Sequence, residues 1–485
     1  MNLFRFVAVS LFVLSPLAGA EKLTYTGNGS LLKRPSDDIA AFEGIKNALY
    51  PARASGNAVT VNFTLVKGEK NITPHYVFGA LSAEKTLKRN TVWLKKGTSD
   101  NLYGAASKNG EVSGNAVVIG RQATRARRIS PAAAPAAATP DIIAGVVYGG
   151  ASFYADAKGN TVNLLQEDAA LDVIHGGFSG DSAAKANSVA IRAGKVSGIV
   201  SGGSSKNGAV EKNTVHVSGG QLGQVYGGVS LTGPVRSNVV RVTDGRIPEG
   251  RVTGGLVKAG LSAGNAVYIQ GGHMNHVIGG MADKGRAVGN HVKIGGGRIE
   301  SAITGGSVTF GEGMATKNTV VLGGRSLMLG KAVWLRGGQT PAGDAFTDNR
   351  LHIENPIEGE IFGLENFEML RFRLPSSITP GAVMLNVGKG GALLSDRRAG
   401  KSSVIELLHA DNLTRLKEGD TIALIRTDGM IGAPPENHVI LDEEFQGAGK
   451  KAWRYRFRVD ISDDGKELLA TLVEAPQPRL ARKKR

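Results

Sequence analysis

The sequence predicts an all-β protein, a right-handed parallel β-helix with coils of about 26 residues and a C-terminal β capping region. Two motifs recur at nearly constant spacing, and glycine supplies 68 of the 485 residues. That share of glycine is about twice the average and suits many short strands joined by tight turns.

The first motif is an asparagine that opens the pattern Asn-x-Val-x-(Ile/Val/Leu), and between Asn160 and Asn318 successive asparagines are 25 to 28 residues apart. Asparagines at the same turn of stacked coils can form a ladder of side-chain amides. We expect this ladder at Asn160, Asn187, Asn213, Asn238, Asn265, Asn290 and Asn318.

The second motif is an aliphatic residue, one variable residue and two glycines. From the first glycine to the next asparagine the offset is 11 residues in six successive coils, beginning with Gly149 and Asn160. A constant offset indicates that both motifs belong to one repeating unit.

Aliphatic residues occupy the second and fourth positions after each asparagine, as in Val215 and Val217, and period-two alternation places both toward the coil interior. Two further inward rows are expected, one containing Val200 and Val225 and the other Val196 and Leu222. A propeller or sandwich would need about forty residues per blade or antiparallel hairpins. Connections between parallel strands favour the right-handed winding.

The chain divides into five predicted regions. Residues 1–20 read as a Sec-type signal peptide, with Arg5 before a short apolar run and a small-residue cleavage pattern ending at Ala20. An N-terminal cap at 21–56 precedes the β-helix repeats at 57–350, which a disordered Ala/Pro/Arg insertion at 121–141 interrupts. A C-terminal cap at 351–475 and a basic tail at 476–485 follow. No later stretch is apolar enough to span a membrane.

The chain contains no cysteine, which excludes disulfides, thiolate metal sites and cysteine nucleophiles. Its net charge of +16 favours anionic partners. We expect an anionic glycan, lipopolysaccharide or a host surface component, with no nucleic acid, cofactor or metal ion.

The asparagine and glycine motifs, together with segments 359–375 and 416–425, resemble the β-helical passenger domains of Gram-negative autotransporters. The resemblance implies adhesion or display at the cell surface, and a cap at 351–475 that helps folding outside the cell. Such passengers continue into a translocator barrel, which this sequence does not show. Without a translocator, the periplasm is the alternative location to the cell surface or the extracellular space.

Motifs for catalysis are weak. The string Gly260-Leu-Ser-Ala-Gly264 matches a nucleophile elbow, but an asparagine strand follows it where a helix is needed. Polysaccharide lyases and hydrolases need two or three acids in one cleft, and no acid lies three residues after the asparagines from Asn160 to Asn318. We therefore expect no enzymatic activity, with a carbohydrate-active β-helical enzyme as the alternative.

The same outward row, three residues after each asparagine, is the first candidate binding surface. It contains His216, Arg241, Tyr268 and Lys293, which should lie about 4.8 Å apart on successive coils. Cations beside an aromatic face suit an anionic glycan. A second candidate row precedes the glycine pair and includes Tyr148 and Tyr226. Both rows are equally compatible with ordinary solvated strand faces.

Overall fold

A computed structural model describes residues 22–25, 48–51, 54–62, 74–120, 140–396, 398, 400–409, 413, 415–436, 441–446 and 452–475. These residues form 37 strands and no helix. The strands stack as a parallel β-solenoid of about 12 turns with about 27 residues per turn. The predicted parallel β-helix is therefore confirmed, while its right-handed winding stays a prediction.

Contacts divide the chain into two units. The first comprises Met1–Met274 and Gly280–Arg286, and the second comprises Asn275–Gly279 and Ala287–Arg485. Strand β25 (His273–Val288) contributes residues to both.

The first unit contains 24 strands besides β25. They are β1 (Lys22–Tyr25), β2 (Ala48–Leu49), β3 (Ala58–Asn62), β4 (Tyr76–Phe78), β5 (Leu81–Ser82), β6 (Leu87–Lys88), β7 (Thr91–Tyr103), β8 (Ala106–Ser107), β9 (Val112–Ser113), β10 (Ala116–Ile119), β11 (Ile142–Tyr148), β12 (Ala151–Ser152), β13 (Ala157–Lys158), β14 (Thr161–Leu164), β15 (Ala169–Ser179), β16 (Ala184–Lys185), β17 (Ser188–Ile191), β18 (Lys195–Ser205), β19 (Val210–Glu211), β20 (Thr214–Ser230), β21 (Val235–Arg236), β22 (Val239–Thr253), β23 (Leu256–Ala263) and β24 (Ala266–Ile269).

The second unit contains 12 strands besides β25. They are β26 (His291–Val308), β27 (Thr319–Leu329), β28 (Trp334–Gln339), β29 (Arg350–Ile353), β30 (Glu360–Glu365), β31 (Met369–Leu374), β32 (Asn386–Ala392), β33 (Val404–His409), β34 (Thr421–Thr427), β35 (Leu441–Gln446), β36 (Ala452–Ile461) and β37 (Glu467–Glu474).

One coil of the first unit shows the common plan. After Asn187, β17 forms what we call the asparagine strand, and the chain bends at Gly194 before β18 begins. Strand β18 continues through the glycine pair at Gly202, and β19 leads to the next ladder residue, Asn213. Strand β17 pairs in parallel and in register with β14 and β20, so equivalent positions of successive coils lie side by side.

The interior is lined by the predicted aliphatic rows. Val215, Val240 and Val267 are at most 1 % exposed, and Val200 and Val225 are fully buried. Each side chain packs against its equivalents in the adjoining coils, so burial in one coil depends on its neighbours. At roughly 1.5–3 kcal/mol per aliphatic side chain, these rows supply much of the driving force for folding.

The constant offset of 11 residues has a steric cause. A Cβ at Gly177, the second glycine of its pair, would lie 2.4 Å from the side-chain amide of Asn187 in the same coil. A Cβ at Gly176 would lie 2.3 Å from the carbonyl oxygen of Gly202 in the next coil. The glycine pair therefore packs against the asparagine and the adjoining coil, which ties the two motifs together.

In every described coil, the residue before the ladder asparagine has a left-handed backbone conformation, with a positive φ angle. The φ angle at these positions lies between 53° and 77°, which costs a residue with a Cβ about 1–2 kcal/mol. The positions are Gly56, Arg89, Gly114, Gly159, Ala186, Lys212, Ser237, Gly264, Gly289, Lys317 and Asp348. A common turn therefore leads each coil into its asparagine strand.

The C-terminal region changes from parallel to antiparallel pairing. Strands β29, β31 and β33 continue the parallel stack, whereas β37 pairs antiparallel with both β34 and β36. Strands β36 and β37 form an antiparallel hairpin with its turn at residues 462–465. Because β37 pairs antiparallel with its neighbours, the parallel stacking of coils does not continue through it. This change of pairing suits a cap.

Several sequence predictions lie outside the described residues. These are the signal peptide at 1–20, most of the cap at 21–56, nearly all of the insertion at 121–141 and the tail at 476–485. Among the residues that the structure describes, no helix has the length and apolarity needed to cross a membrane.

Candidate functional site

Each ladder asparagine lies directly before an asparagine strand, as Asn187 lies before β17. In the first unit, the Nδ2 of each asparagine donates to the Oδ1 of the next, at 3.0 Å from Asn160 to Asn187 and 2.9 Å from Asn187 to Asn213. The same Oδ1 accepts the backbone N–H of the preceding asparagine. These bonds continue through Asn238 to Asn265, and in the second unit they join Asn290, Asn318 and Asn349. The ladder therefore holds the asparagine strands in register.

The outer face of these strands contains one continuous row in the first unit. Each member lies three residues after a ladder asparagine and pairs in register with the next. The row is Thr60, Trp93, Val118, Asn163, Ala190, His216, Arg241 and Tyr268. Cross-strand neighbours at this spacing can contact one ligand together.

Arg241 and Tyr268 form a cation–aromatic pair on this face. The guanidinium carbon of Arg241 lies 4.4 Å from the centroid of the Tyr268 ring, and exposed His216 is its other neighbour in register. Within the described part of the chain, no carboxylate lies within 4 Å of Arg241. The structure therefore leaves this cation available to an anionic ligand.

Lys293 has different surroundings, in the second unit. Its Nζ lies 2.9 Å from Oε1 of Glu354, so a carboxylate already neutralises it. In the same row Arg371 donates to Glu406 at 2.6 Å. Burial, with the positive charge of Arg371 second, lowers the pKa of His352. Because this row is charge-balanced, Lys293 is a poorer anion site than Arg241.

A groove opens on the same outer face of the first unit, among the coils that precede His216. It has a volume of about 580 Å³ and is lined by Asn62, Trp93, Lys95, Asn163, Leu165 and Arg192, together with Val118 and Gly120. The Trp93 side chain is 39 % exposed, and Nζ of Lys95 lies 5.3 Å from its ring centroid. The groove thus combines an exposed indole, two cations and two amides.

The second candidate row, which precedes the glycine pair, is largely buried, and its binding role stays a prediction. Tyr148 is 8 % exposed and Tyr226 is 3 % exposed. Tyr148 stacks on Tyr103 at 5.0 Å and on His175 at 5.3 Å, and Phe178 packs edge-on against it at 5.7 Å. Burial raises the pKa of Tyr148 to about 12 and also raises that of Tyr226. The rings of Tyr103, Tyr148 and His175 pack against one another in successive coils.

The catalytic motifs of the sequence do not assemble a site. Ser262 is fully buried, donates to the carbonyl oxygen of Gly255 and accepts from the amide of Asn265, so it is not an accessible nucleophile. No group of three or more histidine and acidic side chains among the described residues could hold a metal ion. The serine of the Gly260–Gly264 string thus belongs to the buried part of a coil.

Trp93 was missed in the sequence although its signal was present. It lies three residues after Asn90 and therefore belongs to the same outward row as Arg241 and Tyr268. The long insertion after Gly120 interrupts the regular spacing, so the sequence shows the row clearly only from Asn163 onward. Extending the rule back by two coils, through Val118, identifies it.

The fold and this face define a β-solenoid protein with a basic and aromatic outer surface. The chain matches no protein-family profile, no curated protein and no solved structure. The β-solenoid itself is consistent with the passenger resemblance in the sequence.

Proposed function

We propose that this protein is an exported, passenger-like β-solenoid that acts in adhesion or surface display by binding an anionic glycan without cleaving it. Lipopolysaccharide and host surface polysaccharides belong to this ligand class. Export rests on the signal-like residues 1–20, and surface location on the resemblance to passenger domains.

The observation that carries the binding proposal is the Arg241–Tyr268 pair. A guanidinium can bind a carboxylate or sulfate through two parallel hydrogen bonds, and an aromatic ring offers an apolar face to a sugar. The regular coil spacing aligns one outward position per coil, so His216, Arg241 and Tyr268 lie in one line, which suits a linear polymer. The net charge of +16 adds nonspecific attraction and raises the association rate.

The test compares polygalacturonate with neutral dextran at fixed ionic strength, using the intact protein and two variants. We expect Arg241→Gln combined with Tyr268→Ala to weaken polygalacturonate binding about tenfold, the loss of roughly 1.4 kcal/mol. The control is Arg246→Gln, which removes an equally exposed charge beyond the bend at Gly245. It should leave the affinity nearly unchanged.

Two outcomes would count against the proposal. Equal weakening by the control and by the double variant would mean that only net charge matters. New reducing ends or unsaturated products in the polygalacturonate would instead support the carbohydrate-active enzyme.

A further inference from the structure

We propose that the groove beside Trp93 is a subsite for one acidic sugar residue of a polysaccharide. The inference takes its ligand class from the proposed function, but it assigns a different site and different residues. It is argued from the indole, the cations and the amides that the outer strands bring together.

The indole supplies the apolar platform. Trp93 is a large aromatic side chain that remains 39 % exposed on the outer face, and the aliphatic groups of Val118 and Leu165 continue the apolar surface. The C–H face of a pyranose ring is flat enough to lie against such a surface, while its hydroxyl groups remain free for polar contacts. A volume of about 580 Å³ is ample for one sugar with parts of its neighbours.

The charges select an acid. Lys95 and Arg192 are the two cations of the lining, and none of the lining residues carries a carboxylate. The neighbouring Lys96 is already paired with Asp141 at 3.5 Å, whereas the described residues place no carboxylate within 4 Å of Lys95 or Arg192. A uronate or sulfate group would satisfy these cations.

The amides complete the recognition of a sugar. Asn62 and Asn163 bring both donor and acceptor atoms to the groove, which is what vicinal hydroxyl groups require. A single-stranded nucleic acid would instead need successive aromatic rings for stacking, and the lining contains a single aromatic residue. The chemistry therefore favours an acidic saccharide over an oligonucleotide.

The experiment measures calorimetric binding of a galacturonate trisaccharide, the corresponding galactose trisaccharide and a trinucleotide at fixed ionic strength. The acidic trisaccharide should bind at least fivefold more tightly than either alternative. Trp93→Ala should weaken the binding of both saccharides at least tenfold. Arg192→Gln, which leaves Lys95 in place, should lower the affinity for the acidic trisaccharide and leave that for the neutral one unchanged.

Matched controls separate the groove from general effects. Trp334→Phe changes a tryptophan of the second unit, and Arg246→Gln removes one charge elsewhere in the first unit. Both should bind the trisaccharides like the unmodified protein. Thermal unfolding should show that Trp93→Ala and Arg192→Gln fold normally, since both side chains are exposed.

The outcomes distinguish this subsite from the face at Arg241. Trisaccharide binding that depends on Trp93 but not on Arg241 supports the subsite, even if polygalacturonate binding is unchanged by the substitutions at Arg241 and Tyr268. Conversely, trisaccharide affinity unchanged by Trp93→Ala overturns the subsite while leaving the polymer test intact. Tighter binding of the trinucleotide, or no binding of the acidic trisaccharide to the unmodified protein, also overturns it.

Discussion

His175 shows how one side chain can make this fold sensitive to acid. Its ring stacks on Tyr148, and its Nδ1 lies 2.7 Å from Oγ of Ser201 in the next coil. Burial lowers the pKa of His175 to about 4. The folded protein therefore keeps this ring neutral well below the pH at which a solvated histidine takes up a proton.

This pKa predicts a loss of stability in mild acid. Below a pH of about 6.5, His175 becomes protonated in the unfolded chain but stays neutral in the folded protein until the pH approaches 4. Stability from this residue is thus complete above pH 6.5, falls as the pH drops, and stops falling near pH 4, with a total of at most about 3 kcal/mol. The substitution His175→Phe keeps an aromatic ring beside Tyr148 but has no titrating group. The variant should therefore lose this part of the pH dependence of stability.

Urea unfolding of the unmodified protein and of His175→Phe at pH 7.5, 5.5 and 4.0 gives the free energy of unfolding of each. The contributions of the other titrating groups cancel in the difference between the two. The gap between the two free energies of unfolding should shift in favour of His175→Phe as the pH falls. A gap that is constant with pH would show that His175 is not held neutral by burial.

At this scale the sequence identifies the residues that face the coil interior. It does not identify outward residues, such as Tyr148, that other side chains cover. Alternation tells which side of a strand Tyr148 occupies, and it says nothing of what packs over that side. Strand β15 continues through its glycine pair and brings Phe178 against the Tyr148 ring, while rings of successive coils stack on one another. Burial of Tyr148 and Tyr226 therefore depends on contacts that no local pattern contains.

At the scale of the repeating element, the asparagine ladder is the polar counterpart of the apolar interior. Oδ1 of Asn213 accepts the backbone N–H of Asn187 at 2.8 Å and its Nδ2 at 2.9 Å. Nδ2 of Asn213 donates to the carbonyl oxygen of Ala184 and to Oδ1 of Asn238, both at 2.9 Å. One fully buried side chain thus satisfies polar groups in three coils.

We predict that Asn213→Ala lowers the free energy of unfolding by about 3–5 kcal/mol, because two buried donors of Asn187 and the carbonyl of Ala184 lose their partner. The matched control is Asn207→Ala, which removes an exposed turn amide that bonds Asp181 at 2.7 Å. It should cost less than about 0.5 kcal/mol. Similar losses in both variants, measured by denaturant unfolding, would mean that the ladder adds little to stability.

The ladder positions could be predicted because each coil repeats one motif, but the reason for their offset from the glycines could not. That reason is the contact between Gly177 and Asn187, which arises only when the coil closes. Non-glycine residues before the asparagine, such as Lys212 at φ 56°, also gave no signal of their left-handed turn.

At the scale of the whole molecule, stability is shared between neighbouring coils. Val267 is completely buried and pairs in register with Val240 of the preceding coil, while Tyr268 on the same strand faces outward over Arg241. The period of the sequence was enough to predict this architecture. It could not predict the ion pair of Lys293 with Glu354, because the residue types at outward positions vary freely from coil to coil.

We predict that Val267→Asp destabilises the fold by about 4 kcal/mol or more, since an unpaired charge enters the apolar interior. Amide hydrogen exchange should accelerate in the adjoining strand Val239–Thr253 and much less in the distant strand Thr161–Leu164. Tyr268→Asp should change stability by no more than about 1 kcal/mol. Equal destabilisation by the two substitutions would contradict the inward and outward assignment.

The bonds between ladder asparagines in the first unit run in one direction among the described residues, from each Nδ2 to Oδ1 of the next asparagine. Removal of residues 187–212 would therefore let Asn160 donate to Asn213 in the same pattern, whereas removal of a fraction of a coil would misalign the asparagines. Duplication of a whole coil is equally neutral for the ladder. The length of such a protein can therefore change in evolution in steps of one coil, and the outer face can acquire or lose binding residues one rung at a time without redesign of the interior.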